Sequence, residues 1–196
     1  MGRMIFVTGG TRSGKSAFAE KITAALGDKV VYIATARAED GEMEKRIALH
    51  RERRPAVWRT VEEPEKVGEA IEQWEQQAEV ILLDCLTMYI SNLLLAGENG
   101  EEDREKAELQ DRAIVNLMEK TAAAARASKA HVVVVSNEVG LSLISPYSLG
   151  RRYQELVGRA NQIFARAADE TYLVVAGMPL DLKEMDRRVM SRFRKG

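Results

Sequence analysis

The sequence has little that would suit an extracellular, membrane-embedded or nucleic-acid-binding protein. A single cysteine, Cys85, in 196 residues excludes an internal disulfide and any cysteine-based zinc site within one chain. No apolar stretch approaches the roughly 18 residues that a membrane span needs. A formal net charge of −1 gives no broad basic surface for nucleic acid. The first strand is predicted directly after Met1-Gly2-Arg3, so we expect no signal peptide and a cytoplasmic location.

What the chain does have is a phosphate-binding motif near its start. Eight consecutive residues fit the pattern G-x-x-x-x-G-K-[ST], and they are Gly9, Gly10, Thr11, Arg12, Ser13, Gly14, Lys15 and Ser16. An apolar run precedes the motif and an Ala-rich helical segment follows it. Loop N–H groups and the helix dipole would bind phosphate, while Lys15 reaches the outer phosphates and Ser16 holds Mg²⁺. The motif therefore predicts a nucleoside triphosphate site.

Strand-like and helix-like segments alternate along the chain. The predicted strands are nearly continuous apolar runs, which indicates burial on both faces of a mostly parallel sheet; they are Met4–Thr8, Val30–Ala34, Val80–Leu83, His131–Ser136 and Thr171–Ala176. The predicted helices are Ser16–Leu26, Glu42–Arg53, Pro64–Gln77, Glu101–Ala127 and Leu149–Ala168. This alternation predicts a three-layer α/β P-loop NTPase fold, with a mostly parallel RecA-like sheet and helices on both faces. We assign residues 1–183 to one nucleotide-binding and catalytic domain and residues 184–196 to a basic C-terminal tail.

Polar residues follow several of the predicted strands, where ligands bind in sheets of this kind. Asp84 ends an apolar strand, as in the Walker B pattern, and would help to hold Mg²⁺ directly or through water. Asn137 and Glu138 follow another strand, either as a γ-phosphate sensor or base, or as a polar turn closed by Gly140. Ala34, Thr35 and Ala36 follow the second strand, either as a close backbone approach to a ligand or as a simple turn.

His50 is the residue whose surroundings are most unusual. It shares one face of the predicted helix with Met43 and Ile47. Four arginines lie close to it along the chain, and they are Arg46, Arg51, Arg53 and Arg54. Such surroundings favour a neutral imidazole, which is a nucleophile, and the arginines could hold phosphate oxygens. A half-buried histidine in a basic helix is the alternative that the spacing leaves open.

The sequence resembles the bifunctional adenosylcobinamide kinase/adenosylcobinamide-phosphate guanylyltransferase family of cobalamin biosynthesis. The resemblance extends over nearly the whole chain. Its first blocks are Val7 to Ser16, Tyr32 to Ala36, Glu42-Met43, Arg46-Ile47, His50, Arg54-Pro55 and Trp58 to Glu62. The later blocks are Leu83 to Thr87, Asn92 to Leu94, Ser136 to Gly140, Gly158 to Gln162, Ala168 to Glu170 and Val174 to Gly177.

The resemblance implies a two-step enzyme of corrinoid metabolism. It would phosphorylate the aminopropanol hydroxyl of adenosylcobinamide with ATP or GTP, and then transfer GMP from GTP to that phosphate, releasing pyrophosphate. It further implies that His50 carries GMP as a covalent intermediate and that the enzyme is a homo-oligomer, with a trimer expected. The implied nucleotide-binding positions are Gly9 to Ser16, Ala34 to Ala36, Arg51, Glu52, Arg53, Arg54, Glu62 and Asp84.

Two other functions compete with this interpretation. A simple small-molecule kinase would use the P-loop alone and would form no protein-bound nucleotide. A RecA-like or regulatory P-loop module would hydrolyse a nucleotide to move or gate a partner, although the chain has no basic face for nucleic acid. Dependence of nucleotide turnover on cobinamide would separate these functions from the two-step enzyme.

Overall fold

A computed structural model describes residues 1–37, 55–97 and 104–193. These ranges contain seven strands, β1 Met4–Gly9, β2 Val30–Ala34, β3 Arg59–Glu62, β4 Val80–Asp84, β5 His131–Val135, β6 Glu170–Val175 and β7 Met178–Asp181. They also contain six helices, α1 Lys15–Leu26, α2 Val67–Trp74, α3 Leu86–Leu95, α4 Arg104–Ala127, α5 Ser148–Ala167 and α6 Leu182–Met190. The helix predicted over Glu42–Arg53 lies outside the described residues. Within those ranges, no helix combines the length and the apolarity that crossing a bilayer requires.

All seven strands form one sheet in the order β3-β2-β4-β5-β1-β6-β7. Every neighbouring pair is parallel except β6 and β7, which are antiparallel. The strand β5 therefore lies between β4 and β1, with Val134 opposite both Leu83 and Phe6. This mostly parallel sheet confirms the predicted α/β fold.

The apolar runs are continuous because helices cover both faces of the sheet. Met4 and Phe6 of β1 face the cluster that contains the buried residues of helices α2 to α5. Ile5 and Val7, the alternate residues of the same strand, face the cluster that includes Ala19 of α1. Since successive side chains of a strand point to opposite faces, a strand buried on both sides has no polar alternation.

Three elements, β3, β7 and α3, lack the periodicity that would have predicted them from the sequence, and α6 lies where a basic tail was assigned. The strands β3 and β7 are at the edges of the sheet and are mostly exposed, so they carry polar or isolated apolar residues. The helix α3 is apolar on most sides and has no polar face. The helix α6 has no buried residue, and it crosses the division assigned at residue 183.

The buried aromatic pair between β1 and α5 allows a test of this core. Phe164 has no exposed surface, and its ring centre lies 6.2 Å from that of Phe6. We expect Phe164→Ala to lower the free energy of unfolding by about 3–5 kcal/mol, because it removes buried surface and leaves a cavity. The measurement is urea unfolding followed by circular dichroism. Leu109→Ala is the control, because Leu109 is 58% exposed on α4, and an equal loss in both variants would contradict the packing.

Candidate active site

The motif residues 9–16 join β1 to α1 as a tightly curled loop. The Ser13 N–H donates to the Gly10 carbonyl at 3.2 Å, and the Phe18 N–H donates to the Gly14 carbonyl at 3.0 Å. Gly14 has a φ of 94°, in the left-handed region that favours glycine. A curled backbone that leads into a helix N-terminus presents N–H groups to an anion. The loop thus has the form that phosphate binding requires.

The turn between β6 and β7 supports this loop from outside. The Gly177 N–H donates to the Ser13 carbonyl at 2.8 Å. A Cβ on Gly9 would lie 2.6 Å from the Val174 carbonyl oxygen, and one on Gly14 would lie 3.0 Å from the Gly177 Cα. Both motif glycines are therefore needed for close packing against the β6–β7 turn, as well as for the path of the loop.

Lys15 and Ser16 form the first turn of α1, directly after the loop. The Lys15 ammonium donates to the Gly10 carbonyl at 3.1 Å, which holds its positive charge over the loop. The helix α1 packs against β4 and β5 as well as β1. The carboxyl ends of the strands form one edge of the sheet, and the first turn of α1 therefore lies at this edge, beside the residues that end β1, β4 and β5.

Asp84 ends β4 and is held by a neighbouring strand. Its Oδ2 accepts a hydrogen bond from the hydroxyl of the buried Tyr32 at 2.8 Å. In the sheet register, Ala34 is opposite both Asp84 and Glu62. Three of the predicted nucleotide-binding residues, Ala34, Glu62 and Asp84, are thus brought together at the ends of β2, β3 and β4.

Thr35 uses its side chain to join the ends of β2 and β4. Its hydroxyl donates to the Cys85 carbonyl at 2.8 Å and accepts from the Cys85 N–H at 2.9 Å. Its own carbonyl accepts from Asn92 Nδ2 at 2.7 Å. Thr35 is fully buried, so its side chain braces the strand ends.

The segment after β5 is tied to three other elements. Asn161 of α5 accepts from the Ser136 hydroxyl at 2.6 Å and donates to the Asn137 carbonyl at 3.0 Å. Asn137 Nδ2 donates to Thr87 Oγ1 of α3 at 2.8 Å. The Glu138 N–H donates to the Gly9 carbonyl at 3.0 Å. These bonds place Asn137 and Glu138 beside the phosphate-binding loop.

Two proton-bearing side chains near this segment have raised pKa values. Burial, and then the negative charge of Asp84, raise the pKa of the Cys85 thiol. Burial raises the pKa of Tyr153 to about 12. Both groups therefore keep their protons near neutral pH, and the sulfur of Cys85 lies 2.9 Å from Thr87 Oγ1. We infer that the half-buried Cys85 acts here as a polar contact and not as a thiolate nucleophile.

The structure brings most of the predicted site to one edge of the sheet. Gly9 to Ser16, Ala34 to Ala36, Glu62 and Asp84 all follow or end the strands β1, β2, β3 and β4. Gly10, Thr11 and Arg12 are exposed at the tip of the loop. His50, Arg51, Glu52, Arg53 and Arg54 lie outside the described residues, so their predicted roles stay predictions.

Three supporting residues were given no role by sequence reasoning, namely Tyr32, Asn92 and Asn161. Each is a polar side chain at a buried position. Asn161 follows Val157 and Ala160 and precedes Phe164 on the buried side of α5. A polar residue on an apolar helix face was the signal that could have identified it, since buried amides need hydrogen-bond partners.

The oxygen atoms at this edge fit a magnesium ion carried with a nucleotide. The Ser16 hydroxyl and the Asp84 carboxylate are the hard donors that Mg²⁺ prefers, and the ion usually keeps several waters and substrate phosphates as its other ligands. Among the described residues, no three His, Cys, Asp or Glu side chains form a group that would hold a metal alone. The donor set thus suits a nucleotide-bound ion.

Comparison with known proteins gives one family and several relatives. A family model described as "cobinamide kinase / cobinamide phosphate guanyltransferase" matches residues 5–182. The bifunctional adenosylcobalamin biosynthesis protein CobU of Escherichia coli (strain K12) is 41% identical over 184 residues, covering 92% of this chain and 99% of that protein. The protein of the same name from Salmonella typhimurium is 42% identical, with the same coverage. The bifunctional protein CobP of Pseudomonas aeruginosa is 38% identical over 177 residues, covering 90% of this chain and 95% of its own.

Replacement of Asn161 tests whether this residue holds the segment after β5. We expect Asn161→Ala to lower the free energy of unfolding by about 1–3 kcal/mol, because it leaves the buried Ser136 hydroxyl without its acceptor. Nucleotide affinity should fall as well, since Glu138 is bonded to the phosphate-binding loop. Denaturant unfolding and calorimetric titration with ATP measure the two effects. The control is Gln162→Ala, at an exposed position of the same helix, which should change neither stability nor nucleotide affinity. Wild-type stability and affinity in Asn161→Ala would contradict the proposed role of Asn161.

Alkylation of the single cysteine tests the raised pKa. At about pH 8, we expect iodoacetamide to modify folded Cys85 at least about tenfold more slowly than a free thiol, because burial suppresses the thiolate. The rate should continue to rise with pH beyond the range in which a free thiol levels off. Mass spectrometry against time measures the rate, and urea-unfolded protein supplies the control. A folded rate equal to the unfolded rate would contradict this description of Cys85.

Proposed function

The chain belongs to the cobinamide kinase/cobinamide phosphate guanyltransferase family, and from this premise we propose that it carries out both reactions named in that description. The membership confirms the resemblance stated from the sequence. The substrates proposed are adenosylcobinamide, with ATP or GTP as phosphoryl donor, and then GTP as GMP donor. The products are adenosylcobinamide-GDP and pyrophosphate. The observation that carries the proposal is the family match over residues 5–182, which includes a correctly formed phosphate-binding loop.

In the kinase step, the substrate hydroxyl oxygen attacks the γ-phosphorus, and the bond from that phosphorus to the β-phosphate oxygen breaks. The loop N–H groups and Lys15 offset the charge on the phosphates. A carboxylate takes the hydroxyl proton, and Glu138 and Asp84 are the two candidates at this edge. Each carboxylate accepts one hydrogen bond, Asp84 from the Tyr32 hydroxyl and Glu138 from the Gly140 N–H at 3.0 Å. We favour Glu138, because Asp84 is the proposed ligand of the ion.

A magnesium ion held by Ser16 and Asp84, partly through water, would supply positive charge at the phosphates. This assignment is proposed because both residues lie at the edge formed by the ends of β1 and β4. The protein's own contribution there is the fixed orientation of Asp84 by Tyr32 at 2.8 Å. The remaining carboxylate oxygen of Asp84 is then available to the ion.

In the transfer step, a neutral His50 nitrogen attacks the α-phosphorus of GTP, and the bond to pyrophosphate breaks. The resulting N–P bond is labile, so a phosphate oxygen of the substrate can displace the histidine and regenerate it. Arg51, Arg53 and Arg54 would bind phosphate oxygens during the transfer. Glu52 and Glu62 complete the proposed nucleotide-binding set.

We also propose a homo-oligomer, with three subunits expected, located in the cytoplasm. Support comes from apolar side chains left exposed on β7 and α6, where Met178 is 66% exposed and Phe193, just beyond α6, is 73% exposed. Exposed apolar patches of this kind mark association surfaces. Light scattering on the purified protein would give the subunit number directly.

The covalent step is tested by labelling the protein with GTP. We expect α-labelled GTP, but not γ-labelled GTP, to leave acid-labile and alkali-stable label on the denatured wild type. His50→Asn should carry none, because the nucleophile is gone. The control is His131→Asn, which alters the only other histidine of the chain. His131 is the first residue of β5, at the end of the strand opposite the candidate site, and its ring accepts the Arg3 N–H at 2.9 Å. This variant should therefore label normally.

A lack of label on both the wild type and His50→Asn would contradict the covalent route. The chain would then be better described as a simple kinase, provided that cobinamide still stimulates ATP turnover. ATP turnover that does not depend on cobinamide would instead favour a regulatory P-loop module.

A further inference from the structure

The loop between β5 and α5, residues 139–147, exposes four large apolar side chains. Leu141 is 84% exposed, Leu143 94%, Ile144 82% and Tyr147 74%. Single exposed apolar residues are ordinary on protein surfaces, but four within seven positions form a patch that usually has a ligand or partner.

The backbone of this loop is held in place by polar side chains of α5. Gln154 Nε2 donates to the Leu143 carbonyl at 3.0 Å, and Gln154 Oε1 accepts from the Ser145 N–H at 3.2 Å. Arg151 Nη1 donates to the carbonyls of Ser145 at 3.1 Å and Pro146 at 2.8 Å. Because the backbone is braced from the protein side, the apolar side chains point outward from a defined surface. A surface ordered in advance loses little conformational entropy when it binds.

The loop starts in the middle of the candidate site. The strand β5 lies between β4, which ends in Asp84, and β1, which leads into the phosphate-binding loop. The Glu138 N–H is bonded to the Gly9 carbonyl at 3.0 Å, one residue before the loop begins. The patch is therefore continuous with the place where the terminal phosphate of a nucleotide is expected.

The loop also contains no charged residue, although 30% of the residues in the chain are charged. No Asp, Glu, Lys or Arg occurs between Glu138 and Arg151. An uncharged apolar surface is unsuited to a polyanionic nucleotide and suited to a broad, largely apolar ligand with some amide groups. The backbone and the serines of the loop offer hydrogen-bonding groups for such amides.

We propose that residues 141–147 form the platform on which the corrin ring of the acceptor substrate lies. The proposal rests on the proposed function and adds the site of corrinoid binding to it. A corrin ring is broad, carries methyl groups on its faces and has uncharged amide arms, so its chemistry matches the patch. The ring stays on the loop while its aminopropanol arm reaches past Glu138 to the phosphates.

The test replaces the two outermost side chains by serine, as Leu143→Ser and Ile144→Ser singly and together. In the double variant, we expect the Kd for cobinamide in equilibrium dialysis, and the KM for cobinamide in the kinase assay, to rise about tenfold or more. Labelling by α-labelled GTP needs no corrinoid and should be unchanged, as should the mass by light scattering. Leu109→Ser, at a 58% exposed position of α4, is the matched control and should bind cobinamide as the wild type does.

The outcomes separate this proposal from the function on which it rests. Wild-type cobinamide affinity in the double variant would overturn the platform alone. A drop in mass in the double variant would overturn it too, because the patch would then be an interface between copies of the chain. A wild type that neither binds nor phosphorylates cobinamide would overturn the proposed function, and the platform with it.

Discussion

The parallel alignment of β1, β4 and β5 is the constraint on which the site depends. These strands are buried on both faces, and their register brings the phosphate-binding loop, Asp84 and Glu138 to one edge of the sheet. Burial of the apolar strand residues fixes this register, since a shift by one residue would exchange the side chains facing the two helix layers. The chemistry at the edge is thus positioned by the same packing that stabilises the fold.

Polar side chains at the strand ends add a second level of order. Thr35 joins β2 to β4, Asn137 joins the end of β5 to α3, and Asn161 joins that same end to α5. A buried polar group stabilises the fold only when it is hydrogen-bonded. These side chains therefore specify the one arrangement of the strand ends in which all of them are bonded. Rigid support of this edge would let the protein stabilise charge on the phosphates without reorganising during the reaction.

Much of the fold, and the centre of the site, could be predicted because their signals are local. The motif from Gly9 to Ser16 is contiguous, four of the predicted strands are apolar runs that stay buried, and a fifth, β6, is an apolar run that is partly buried. The edge strands β3 and β7 gave no such signal, because strands with exposed side chains need no continuous apolar run. The Tyr32–Asp84 and Asn161–Ser136 bonds join residues 52 and 25 positions apart, and only the folded sheet brings such residues together.

We propose that the loop from Gly9 to Ser16 binds the nucleotide phosphates in the transfer step as well as in the kinase step. Lys15→Met removes the charge held over the loop, while Lys21→Met removes an exposed charge from the same helix. Phosphorylation of cobinamide by ATP and retention of GMP from α-labelled GTP are then measured on each folded variant. We predict that Lys15→Met loses both activities together and that Lys21→Met keeps both. Loss of phosphorylation with normal GMP retention in Lys15→Met would contradict the account, since the two reactions would then use separate nucleotide sites.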